Sequence, residues 1–71
     1  MNLSPRYLIK ILEQNGFVFL RAKGSHQIFY NAATGKTTIV PVHGGKDMKK
    51  GTLLAILKQA GIDKNEEGYI F

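Results

Sequence analysis

The sequence predicts an α+β domain in the order helix, strand, strand, strand, helix, with the strands in an antiparallel meander and both helices on one face. Three observations carry that prediction. Two stretches place apolar residues at helical spacing and each ends in a glycine. Between them, aromatic and β-branched residues fall into short runs separated by turn residues. The chain has 71 residues and no cysteine, so it holds one small core that packing alone must stabilise. Two amphipathic helices beside one small sheet can bury their apolar stripes only against the same face of it. Residues 1–71 are therefore expected to form a single domain, with 63–71 as an acidic and then apolar tail.

The first helix is expected over Pro5 to Asn15. Ser4 suits the N-cap, Pro5 the first turn where its missing N–H costs nothing, and Leu3 with Leu8 a hydrophobic staple. Leu8, Ile11 and Leu12 form its stripe, and Gly16 ends it so that Phe17 folds back onto Leu12. Phe17 to Asn31 reads as two strands joined by a tight turn at Lys23-Gly24, with Ala22 pairing Ser25 and Arg21 opposite His26. Asn31 to Gly35 is the second hairpin loop. The third strand, Lys36 to Val42, contains Pro41 and so belongs at a sheet edge. If Asn31 pairs with Lys36, Pro41 lies beside His26, and His43 falls near the same sheet end. After His43-Gly44-Gly45 and a lysine-rich connector, Leu53, Ile56, Leu57 and Ala60 mark a second helix over Gly51 to Ala60. Ile62 is placed to fold back onto Leu57. The tail through Tyr69, Ile70 and Phe71 is expected either to add a short turn or to stay loose.

Residues 1–62 carry nine basic and two acidic side chains, a net charge of +7. Such a surplus on a small body favours a polyanionic partner, because each Lys or Arg that neutralises a phosphate releases a condensed counterion. Nucleic acid is the first candidate and an acidic protein the second. The absence of cysteine removes disulfides, thiolate nucleophiles and Cys-rich zinc sites, and suggests a reducing, cytoplasmic setting. No apolar run approaches the roughly 20 residues of a membrane-spanning helix.

Two histidines and an arginine near one sheet end of a basic protein suit the cleavage of RNA by its own 2′-hydroxyl. That reaction needs a base for the hydroxyl, an acid for the leaving oxygen and positive charge for the phosphorane, and imidazole does proton work near neutral pH. It needs no metal or other cofactor, and none is expected. Two isolated histidines are, however, more often a strand and a loop residue with local hydrogen bonds. Two-metal hydrolysis lacks its carboxylates, since Asp47 is the only acid between Glu13 and Asp63. His43 and Asp47 could hold one ion, but the glycines between them argue for a loop. Ser25 and His26 point to opposite faces of a strand and make no hydrolase dyad. Lys46, Lys49 and Lys50 at a helix start form a candidate anion site, and Lys23 adds a further basic group at the hairpin turn.

Gly16-Phe17, Arg21, Gly24-Ser25-His26, Pro41-Val42-His43, Lys50-Gly51-Thr52-Leu53 and the run from Ile56 to Gly61 together resemble the HicA family, toxins of HicA–HicB toxin–antitoxin pairs. The resemblance covers about residues 3–62. It implies a double-stranded-RNA-binding-domain-like fold and a bacterial or archaeal endoribonuclease that cuts mRNA and is silenced by a HicB-type antitoxin. The family's catalytic histidine, in its Gly-Ser-His element, maps onto His26. Pro41 and His43 match the pattern without inheriting a catalytic role, so Arg21, His43 and Ser25 are candidate auxiliary groups. The fold's usual RNA contact at the last helix corresponds to Lys49 and Lys50. The expected partners are thus mRNA and the antitoxin, with no membrane, and the free protein is expected to be monomeric. The alternative is a non-catalytic RNA-binding module of the same fold; a third reading is a basic surface that binds only an acidic protein.

Overall fold

A computed structural model describes residues 2–62. Its elements are α1 (Pro5–Gln14), β1 (Val18–Lys23), β2 (His26–Asn31), β3 (Lys36–Pro41) and α2 (Lys50–Ala60). The strands form one antiparallel sheet in the order β1-β2-β3, which leaves Pro41 on an edge strand, where its missing N–H interrupts no inner ladder.

The helix ends follow from their side chains. The Ser4 hydroxyl accepts the Tyr7 amide at 3.0 Å, with Pro5 in the first turn. At the other end the Phe17 amide donates to the Leu12 carbonyl at 3.0 Å. The Ile62 amide repeats the closure onto Leu57 at 2.9 Å, so both helices fold an apolar residue back beneath themselves. Helix α1 stops one residue short of the expected Asn15, because Asn15 turns its own side-chain amide onto the Ile11 carbonyl at 2.8 Å. Helix α2 starts one residue early, at Lys50, and β3 ends one residue short, at Pro41.

Leu8, Ile11, Leu12 and Phe17 from the first helix and its exit, Phe29 and Val40 from the sheet, and Leu53, Ile56, Leu57, Ala60 and Ile62 from the second helix make one core. Removing each Leu or Phe of this set from water contributes roughly 1.5–3 kcal/mol. Along β2 and β3 the buried positions are Phe29, Asn31, Thr38 and Val40, so these alternate positions look toward the helices. Two buried polar groups are satisfied. Asn31 donates to the Asn15 carbonyl at 2.9 Å and accepts the Ala33 amide at 3.0 Å, tying the second hairpin to the end of α1. Thr38 bonds Gln59 of α2 at 3.0 Å. The opposite sheet face has no helix over it among the described residues. On the outer strand β1, Val18, Phe19 and Leu20 are each more than half exposed.

The first hairpin differs from the expected register. Its loop is Gly24-Ser25, not Lys23-Gly24, so Lys23 pairs with His26, and Arg21, expected opposite His26, pairs with Ile28. The cause is conformational: the first loop residue takes a φ of +59°, which a Gly supplies without strain and a Lys does not. Leu20 is then an extra residue in β1, between the Phe19–Phe29 and Arg21–Ile28 pairs, where the ladder bulges. The expected tail conformations concern residues 63–71, which lie outside the described residues.

Candidate active site at the histidine end of the sheet

The register of β2 on β3 is as expected, with Asn31 paired to Lys36 and His26 to Pro41. Side chains of paired residues share a face, and along β2 His26 and Ile28 alternate with Phe29 and Asn31, which look toward the helices. His26, Lys23, Arg21, Ile28 and Pro41 therefore lie together on the helix-free face. The basic neighbour of His26 is Lys23, directly across the strand pair, and Arg21 stands one row further along.

Beyond Pro41 the chain stays in register for one more bond: the Val42 amide donates to the Ser25 carbonyl at 2.7 Å. Ser25 thus contributes its backbone to the site by holding the two strand ends together. Val42 packs against the core, and the next residue, His43, is exposed. Its ring centre lies 6.5 Å from that of His26, with the planes at 75°. The chain then reverses through Gly44 and Gly45, with φ of +56° and +83°, and the Lys46 amide closes the turn on the His43 carbonyl at 3.0 Å. Two successive positive φ values define a turn that two glycines make without strain.

The lysine-rich connector is not wholly solvated. Met48 is buried in the core and its amide donates to the Leu3 carbonyl at 2.8 Å, which pins the loop down in its middle. A lone apolar residue in a polar run was the only trace of this anchor in the sequence. The anchor leaves a cavity of about 530 Å³ lined by Pro41, His43, Lys46, Asp47, Met48, Lys49 and Thr52, within the size range of sites for small ligands. Lys49 is the N-cap of α2 and makes no side-chain capping hydrogen bond, and the first turn of that helix holds no acidic residue, so no side chain of that turn offsets the positive end of the helix dipole. Among the described residues Asp47 is the one carboxylate on the lining, and no three His, Cys, Asp or Glu gather as a metal site would need.

The arrangement therefore offers two imidazoles beside a basic cavity, on strand ends fixed by main-chain bonds. The model of the family described as the HicA toxin of bacterial toxin–antitoxin systems matches residues 5–62. The chain belongs to the HicA toxin family. It is also 41% identical over 51 residues to a probable mRNA interferase HicA of Pseudomonas fluorescens (strain Pf0-1), a match that covers 72% of this chain and 82% of that protein. The HicA span takes in both histidines and the lysines of the connector, and the α-β-β-β-α order of this HicA chain is compatible with a double-stranded-RNA-binding-domain-like fold. The tail from 63 onward lies beyond the matched span. No helix among the described residues is long and apolar enough to cross a membrane.

Proposed function

We propose that this HicA toxin is an endoribonuclease that cuts mRNA without a metal, with His26 as a catalytic acid/base, and that a HicB-type antitoxin silences it by contact. The observation that carries the reading is the pair His26 and His43, 6.5 Å apart, on a body with nine basic and two acidic side chains over residues 1–62. Family membership and the relative's name support the same activity. His26 removes the proton of a 2′-hydroxyl, and that oxygen attacks the adjacent phosphorus. Lys23 beside it, with Arg21 one row along, supplies positive charge to the strand and to the phosphorane. Ser25 supports the site through its carbonyl, which holds the Val42 amide. Lys46, Lys49 and Lys50 hold backbone phosphates, because exposed ammonium groups around a helix start attract anions.

The chemistry predicts its products. Cleavage in excess EDTA is expected to proceed undiminished and to leave a 2′,3′-cyclic phosphate and a 5′-hydroxyl, readable by end-labelling and mass spectrometry. Loss of activity in EDTA together with 5′-phosphate ends would mean that water, activated by a cation, is the nucleophile, and would sink the proposal.

The lysines are expected to govern affinity and not the chemical step. With Lys46, Lys49 and Lys50 all changed to Ala, RNA binding weakens and log Kd becomes less steep against log salt, by about 0.7 for each single-strand phosphate that is no longer neutralised. A titration in the inactive His26→Ala background measures this without consuming the RNA. An unchanged slope would mean that the RNA takes another path.

A further inference from the structure

We propose that His43 is the second proton-transfer group of this site, the acid that protonates the leaving 5′-oxygen. The inference rests on the reading that His26 works in RNA cleavage, and it assigns the half of the reaction that His26 does not perform. When the 2′-oxygen attacks phosphorus in line with the departing 5′-oxygen, the proton to be removed and the proton to be added lie on opposite sides of the phosphorus. A single imidazole positioned for one oxygen, at the 2.6–3.2 Å reach that general catalysis requires, is out of reach of the other.

The structure supplies two imidazoles with a gap of that kind between them. Their ring centres are 6.5 Å apart and the planes stand at 75°, so the rings are not stacked face to face and a phosphate can be approached from two directions. They come from different segments, His26 at the start of β2 and His43 just beyond β3. Their spacing is set by the backbone: the His26–Pro41 pairing, the Val42 amide on the Ser25 carbonyl, and the glycine turn that closes on the His43 carbonyl. His43 also lines the basic cavity, which gives the leaving side of the RNA a place to go. Among the described residues the other charged groups nearby are Lys23 across from His26, Arg21 one row further along, and Lys46, Asp47 and Lys49 around the cavity. Imidazole is the side chain suited to giving and regaining a proton near neutral pH.

The step balances. The 2′-hydroxyl proton passes to His26 as the O2′–P bond forms; the P–O5′ bond breaks and its oxygen takes a proton from the His43 imidazolium. One proton arrives and one departs, the phosphodiester becomes a 2′,3′-cyclic phosphate and a 5′-hydroxyl, and exchange with water restores both rings.

A leaving group that needs no acid tests this directly. Once a cleavage site is mapped for the native protein, the same oligoribonucleotide is made with bridging sulfur in place of the 5′-oxygen at that link. His43→Ala is expected to slow single-turnover cleavage of the oxygen substrate by about 10²–10⁴-fold. On the sulfur substrate most of that loss should disappear, whereas His26→Ala should be as defective on sulfur as on oxygen. His43 is exposed, so the variant should keep the native melting curve, which is recorded alongside. A His43→Ala rate equal to the native rate on oxygen, or an equal loss on both substrates, overturns the assignment; the second result would make His43 a positioning residue for His26. Full activity in His26→Ala would instead overturn the reading on which the inference rests, whatever His43→Ala does.

Discussion

The His26→Ala variant is expected to be folded, to bind RNA, and neither to cleave it nor to arrest growth. A general acid or base contributes roughly 10²–10⁴ in rate, and a toxin that acts by turnover loses its effect on growth with that rate. The fold is expected to survive because the His26 side chain is exposed on the helix-free face and belongs to no part of the core. Its pairing with Lys23 and Pro41 is a backbone matter that alanine preserves, and the change in strand preference is within about 1 kcal/mol. Induction in cells, cleavage of labelled RNA and a circular dichroism melt together measure the outcome. Undiminished toxicity from a folded variant would show that the proton chemistry lies elsewhere.

The second large effect is expected on adding the antitoxin: complete neutralisation, with His26 and His43 both protected from diethylpyrocarbonate in the complex. Covering a compact site at one sheet end demands less than rearranging a close-packed small domain. The body offers +7 over residues 1–62, so an acidic covering surface would be drawn to it and association should slow as salt rises. Modification mapped by mass spectrometry reads the two histidines separately. The competing arrangement has the antitoxin grip the apolar residues Tyr69, Ile70 and Phe71 and leave the histidines open. A chain ending at Ile62 is therefore expected to be neutralised as well as the full one. Escape of that shortened chain, or histidines that stay reactive in the complex, would exclude direct occlusion.

The element order was legible in the sequence because it depends on local rules: a Ser-Pro helix start, glycines after the helical stripes, and Pro41, which only an edge strand accommodates. The meeting of the histidines was legible too, since in a meander β2 starts where β3 ends. The neighbour of His26 was not, because a hairpin register turns on which loop residue takes a positive φ, and both Lys23-Gly24 and Gly24-Ser25 contain a glycine. The bulge at Leu20 leaves no signal of its own in a run of apolar residues. Nor could spacing show that Met48 enters the core and holds the connector in place, or that Asn31 is buried against the end of α1. These are long-range contacts, decided by how the packed elements meet.

The residues proposed to act on RNA and those that hold the fold together are separate sets. His26, His43, Lys23, Lys46, Lys49 and Lys50 are all exposed, and among the described residues the core is built from others. In genetic terms, harm to the host and persistence of the protein are then unlinked traits. A missense allele at the rim can leave a cell with a disarmed toxin that is still made, still folded and still able to occupy its antidote, whereas a core allele removes poison and decoy together.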